Sequence, residues 1–196
     1  MVSLRSLVAG AALMAASVLA AATPQQITDG IRMITQKSQA LQPVAQSITV
    51  LNAPLIVIGQ GPFPTLITGF TDIISTANAL ITQLPGTDPI QKRNVPSRIT
   101  RRGPDADLVF QSFREFVRAN QDLLNILIGK ADILTKVPVV GQPVATALRG
   151  VEGVFDTIAI TLINLIEARA RDLTAEADSL GKTLDLAIQQ YEGISF

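Results

Sequence analysis

DADLVFQSFREFVRANQDLLNILIGKADIL, Asp105 to Leu134, is the stretch whose reading decides the fold. Phe113, Phe116, Val117, Asn120, Leu123, Leu124, Leu127, Ile128, Ala131 and Leu134 return every three or four positions. That spacing gathers side chains on one face of an α-helix, whereas a strand would alternate them. Asp105 and Asp107 stand in the first turn, where negative charge is favoured by the unpaired amides of a helix start. At 1.5 Å per residue the helix would be roughly 45 Å long. A rod with one apolar stripe cannot bury that stripe alone, so it requires partners of the same kind.

Those partners lie on both sides. After the turn VPVVGQP, a helix near Val144 to Ile166 carries Leu148, Val151, Phe155, Ile158, Leu162 and Ile166, flanked by Val154 and Leu165. The resulting apolar arc covers roughly half the circumference. Such a helix is either the centre of a bundle or turned in part toward a bound apolar ligand. A further helix follows from about Asp172 to Tyr191. On the N-terminal side, Leu66, Phe70, Ile73, Ile74, Ala77, Leu80, Ile81 and Leu84 mark a helix from about Thr65, ended by PGTDP. The first helix opens at Thr23, with Pro24 at the first helical position and Gln26 placed for a capping box. Ile27, Ile31, Ile34, Ser38, Leu41, Ala45, Ile48 and Leu51 then hold the helical period, and Pro43 is expected to kink it. Between them, Asn52 to Pro64 reads as a hydrophobic turn broken by Pro and Gly. Alternating strand patterns are missing. The chain therefore predicts an all-α, single-domain bundle of about five amphipathic helices, the first kinked near Pro43.

The N-terminus reads as an address. Arg5 precedes the uncharged stretch Leu7 to Leu19, and Ala20, Ala21 and Ala22 offer a small-residue cleavage site. Residues 1–22 are expected to be a secretory signal peptide and 23–196 the mature helical domain, released outside the cell. Later apolar runs are interrupted by Arg114, Asp122, Lys130, Glu152 or Asp156, so no transmembrane segment is expected. None of the six asparagines opens an Asn-x-Ser/Thr triplet.

Composition removes most chemistry. Of 196 residues none is Cys or His, which excludes disulfides, thiol nucleophiles, His-based triads and Cys/His metal sites. Sixteen basic residues balance sixteen acidic ones, so no net field favours nucleic acid. The pairs Asp105/Asp107, Glu152/Asp156 and Glu176/Asp178 fit helix starts and polar faces better than an acid/base site, which needs carboxyls held in a cleft. Gly59 to Pro62, GQGP, matches no phosphate-binding fingerprint. No enzyme, cofactor or metal is expected.

One segment stands apart. QKRNVPSRITRRGPDAD, residues 91–107, packs Lys92, Arg93, Arg98, Arg101 and Arg102 into eleven positions. A solvated inter-helix loop explains it. Beside that stand contact with an anionic polymer and processing at the dibasic sites Lys92-Arg93 and Arg101-Arg102.

Five strings, TPQQITDGIRMITQKSQALQ, GPFPTLITGFTDII, FREFVRANQDLLNILIGKADIL, LRGVEGVFDTIAITLINLI and LDLAIQQYE, resemble in the same order the fungal hydrophobic surface-binding protein A family, also called the antigenic cell-wall galactomannoprotein family. The basic loop is longer than that pattern, and a histidine expected before Gln121 is absent. The resemblance implies a secreted, all-helical, non-catalytic fungal protein that adsorbs to hydrophobic surfaces such as polyester or wax and recruits a secreted cutinase-like hydrolase. As an alternative it implies an extracellular or cell-wall protein that binds fatty acids, as carrier or antigen.

Adsorption and lipid binding ask the same thing of a bundle, because apolar area leaving water contributes about 25 cal/mol per Å² whether it meets a helix, an acyl chain or a wax. The candidate apolar pocket comprises the large mid-helix side chains Phe70, Ile73, Phe113, Phe116, Leu123, Leu127, Phe155, Ile158 and Leu162, each of which is also a core residue. The basic loop gives a prediction of its own. A dibasic-specific protease should cut first at Lys92-Arg93 or Arg101-Arg102, giving two fragments on a denaturing gel while circular dichroism and gel-filtration volume stay those of the intact domain.

Overall fold

In a computed structural model the described residues are 22–52, 55, 59–84, 90, 104–134 and 141–192. Among them are five α-helices: α1 Pro24–Gln46, α2 Pro62–Gln83, α3 Pro104–Leu134, α4 Gly141–Leu165 and α5 Ala170–Glu192, the last preceded by a 3-10 turn, Glu167–Arg169. The molecule is an all-α, single-domain bundle, as the periodicities require. Residues 1–21 of the expected signal peptide and the basic residues Lys92, Arg93, Arg101 and Arg102 lie outside the described residues.

Local chemistry explains the helix starts. Thr23 Oγ1 accepts from the Gln26 amide while Gln26 Oε1 accepts from the Thr23 amide, so two of the unpaired donors of α1 are satisfied reciprocally. Proline occupies an early position of α1 and α2, where its missing amide costs no helical bond. Gly61 precedes α2 at φ +86°, a left-handed conformation that favours glycine.

The end of α1 differs from the expected one. Pro43 sits inside the helix, where it has no amide to give the carbonyl one turn back, and the helix stops at Gln46. Ile48 is still buried, but Leu51, expected on the core face, is 92% exposed. The helical period no longer applies beyond Gln46. A turn pinned by Asn52, whose side chain accepts from the Thr49 amide and donates to the Ser47 carbonyl, carries the chain outward instead.

Each helix packs along two others, and the pairs α1–α3, α3–α5, α5–α4, α4–α2 and α2–α1 close a ring. The width of the α4 stripe suggested a central helix, but α4 packs along α2 and α5 like any other member. Directions follow from the contacts. Gly30 faces Leu80 and Gly69 faces Leu41, so α1 and α2 run antiparallel. Ser38 bonds Asn120 and Lys130 bonds the Ile48 carbonyl, both at a separation of 82 residues, so α1 and α3 run parallel. Arg114–Glu176 and Asp107–Arg169 share a separation of 62, which makes α5 parallel to α3 as well.

Two kinds of seam hold the ring. On the α1–α2 side, leucines enter glycine hollows: a Cβ added to Gly69 would stand 2.3 Å from Leu41 Cδ2, and one added to Gly30 would stand 2.6 Å from Leu80 Cδ1. The exposed Lys37–Asp72 ion pair spans the same seam. On the α3 side polar ties dominate. Buried Ser38 Oγ reaches Asn120 Oδ1 at 2.8 Å, and Asn120 Nδ2 donates to the Phe116 carbonyl at 2.8 Å. Tyr191 donates its hydroxyl to the Leu127 carbonyl at 2.7 Å. Among the described residues no buried side-chain polar atom lacks a partner, the condition under which polar groups in a core fix register without a desolvation penalty.

The glycine hollows give a two-sided test. Gly69→Ala forces Leu41, itself buried, to move, and should destabilise by about 1–3 kcal/mol. Gly129→Ala meets nothing within 4 Å and should stabilise by about 0.5–1 kcal/mol through helix propensity. Urea unfolding of both variants reads the two signs.

Candidate functional site

The ring must be filled from within. Phe113 and Phe116, one turn apart on α3, have ring centroids 5.5 Å apart and nearly stacked planes. Phe116 meets Phe155 of α4 edge to face, centroids 4.6 Å apart at 74°. Since α3 and α4 are not neighbours in the ring, this contact crosses its interior. Phe70, Ile73, Leu123, Leu127, Ile158 and Leu162 are buried in the same contiguous core. The structure thus gathers all nine predicted pocket residues into one apolar interior. Two of them, Phe113 and Phe155, line a void of about 10 Å³, together with Leu180 and Leu184, room for one water at most.

Above that void lies a larger feature that the periodicity did not reveal. Between α4 and α5 runs an open groove of about 380 Å³, whose apolar surface is made by Ala159, Ile160, Ile163, Ala177 and Gly181. Its size falls within the range of about 300–1,000 Å³ seen for ligand pockets. Asp156, Ala159, Ala177 and Gly181 border both the groove and the void, so this seam is the partition between solvent and the aromatic interior. Small side chains make the groove, and small residues stand out poorly in a hydrophobic pattern. The legible signal is Ala177 and Gly181, one helical turn apart on α5. A second cleft, about 180 Å³, separates α1 from α2 beside Gly30 and Met33.

Charge surrounds the groove. Asp156, Asp178 and Asp185 and the cation Lys182 form its rim. Glu152, one turn before Asp156, has its carboxyl pKa raised, first by partial burial and then by the carboxylates of Asp185 and Asp156, with Arg149 opposing. Arg149 donates to Glu192 at 2.6 Å across the seam. Asp107, expected to act only on its helix terminus, is bound by Arg169 at 2.6 Å, and Arg169 also holds Asp172 and lies 4.8 Å from the Phe110 ring centroid. Those two hydrogen bonds keep Arg169 more firmly protonated still. Burial pushes the Tyr191 hydroxyl pKa up, so it remains a neutral donor. Glu176 pairs with Arg114 at 3.0 Å. Among the described residues no group of three acidic side chains could hold a metal ion, and no helix is long and apolar enough to cross a membrane.

The fold has counterparts. Ligand binding domain 1 of the Penicillium marneffei MP1 protein, complexed with arachidonic acids, superposes with a TM-score of 0.67 at 13% identity, over 83% of this chain and 94% of that one. Afmp4p in complex with palmitic acid superposes with a TM-score of 0.60 at 14% identity, over 86% of this chain and 99% of that one. At such identities the likeness is one of fold. No family model matches the sequence, and no curated protein does.

Glu152 supplies a pH test. A carboxyl whose pKa is raised in the folded state contributes its relative stability below the unfolded pKa, about 4.3, and loses it as pH rises through the folded value. Charged Glu152 therefore weakens the fold at neutral pH. Glu152→Gln should stabilise at pH 7 by a few tenths of a kcal/mol, about the worth of an exposed charge contact, and the gain should vanish near pH 4 in paired thermal melts.

Proposed function

We propose that this protein binds fatty acids or similar acyl lipids without covalent chemistry, as a secreted, non-catalytic carrier. The observation that supports this most is the match of the five-helix fold to two proteins seen with arachidonic and palmitic acids. The interior of this chain suits the same cargo. Its nine large apolar side chains converge on one core, with three phenylalanines spanning the ring. A hydrocarbon chain lying among them would exchange one set of apolar contacts for another, at about 25 cal/mol per Å² in either case. Secretion rests on the leader-like segment 1–22, and wall association rests on the sequence resemblance.

Adsorption to polyester or wax is the second reading, and Val50, Leu51 and Leu55 favour it. They are 61%, 92% and 40% exposed on and beside the Asn52-pinned turn. Presentation of a cutinase-like hydrolase on such a surface belongs to this reading. The lipid complexes of the two neighbours favour the carrier reading.

Native mass spectrometry of the delipidated protein with palmitate and arachidonate tests the carrier reading. A stoichiometric adduct at micromolar concentration is expected, and ligand at about 100 times Kd should add about 2.7 kcal/mol of stability. Protein that stays free of adduct while being depleted from solution by polyester particles would instead favour adsorption.

A further inference from the structure

The five seams of the ring are not equally closed. Leucines fill the glycine hollows of α1–α2, and Ile74 of α2 stands against Gly150 of α4, 2.8 Å from where its Cβ would be. Parting either pair means withdrawing a large side chain from a fitted hollow. The α1–α3 seam carries Ser38–Asn120 and the bond from Gln42 to the Ala119 carbonyl, at 2.8 and 3.1 Å. The α3–α5 seam carries Tyr191 to Leu127, Gln121 to Ser179 and Arg114 to Glu176. Opening these leaves hydrogen-bonding groups to be rehydrated.

The α4–α5 seam differs along its middle, where the larger groove lies. Arg149–Glu192 ties one end of it through side chains that are 58% and 37% exposed, a pair worth little in water. Further along, Glu152 of α4 meets Asp185 of α5 through a side-chain hydrogen bond that works against the like charge of the two carboxyls. Between the groove and the void stand small groups: the methyls of Ala159 and Ala177, and Gly181, where an added Cβ would meet nothing within 4 Å. They alone are shared by the groove outside and the void against Phe113 and Phe155 inside, apart from Asp156.

We propose that the α4–α5 seam is the inlet through which an acyl chain reaches the aromatic interior, and that the small residues Ala159, Ala177 and Gly181 make it passable. The inference rests on the lipid-binding reading and names the route that reading leaves open. The chain enters methyl end first, since the void is lined by Phe113, Phe155, Leu180 and Leu184 with Asp156 at its border, and a second carboxylate there would lose its hydration and meet a like charge. The carboxylate stays at the rim beside Lys182, the one cation there, while the three aspartates oppose it. Apolar burial, not attraction of the head group, drives entry.

Three helical glycines have open space around them, Gly129 on α3, Gly153 on α4 and Gly181 on α5, and of these Gly181 borders the groove. The same side chain placed at each makes a controlled trial. Uptake of the fluorescent fatty acid cis-parinaric acid by delipidated full-length protein is followed in a stopped-flow instrument, with circular dichroism melts checking the fold. Gly181→Phe should slow uptake at least tenfold, while Gly129→Phe and Gly153→Phe remain within twofold of the unaltered protein. Gly181→Met, a slimmer plug, serves if the phenylalanine variant does not fold. Unchanged uptake by the folded Gly181 variant, or equal slowing in all three, would overturn the inlet and leave lipid binding standing. If the unaltered protein takes up no fatty acid, the carrier reading fails and the inlet with it.

Discussion

The edge-to-face contact of Phe116 with Phe155 is the interaction on which the bundle depends most. Five helices arranged as a ring enclose a space that no helix backbone occupies, and a cavity left there would cost about 24 cal/mol for every Å³. The space is closed by rings reaching inward from α3 and α4, whose centroids come within 4.6 Å although those helices do not pack side by side. Phenylalanine suits the task because it is large, has few rotamers and carries no polar atom to satisfy. The same three rings that hold the ring open to the right width also give it an apolar interior.

Around that centre the perimeter uses two different adhesives. Glycine hollows filled by leucine set the distance between α1 and α2, since any side chain at Gly30 or Gly69 would strike Leu80 or Leu41. Buried hydrogen bonds set the register of α3 against both parallel neighbours, because Ser38, Asn120 and Tyr191 each have a single sliding position in which their polar atoms are paired. Shape fixes spacing, and polarity fixes register. The middle of the α4–α5 seam carries the larger of the two surface grooves described.

Much of this architecture is legible in the sequence. The three-and-four spacing from Phe113 to Ala131 marks α3 correctly, and the capping box at Thr23 and Gln26 locates the start of α1 to the residue. The nine candidate pocket residues do converge, because large apolar side chains at mid-helix have nowhere else to go. What local spacing hides has several causes. Leu51 continues the period of α1 on paper, yet the helix stops at Gln46 and Leu51 is left exposed. Arg149 finds Glu192, a partner 43 residues away that local spacing cannot show. Order around the ring is equally non-local: α4 has the stripe of a central helix and sits on the perimeter. The groove escapes for a different reason, since its floor is made by Ala159, Ala177 and Gly181, whose side chains are small or absent.

The parallel course of α1, α3 and α5 has a consequence for how the chain reaches this state. Successive antiparallel helices close as hairpins, each contact forming soon after its neighbours in the chain. Here the polar ties of α3 join residues 82 positions apart on one side and about 60 on the other. No hairpin brings α1 against α3, because the chain must first run back through α2. Large loops therefore close before the register-setting bonds exist, and topology of that kind slows the approach to the native state. The protein should therefore fold more slowly than a bundle of the same helical content in which every helix packs only on its neighbours in the chain.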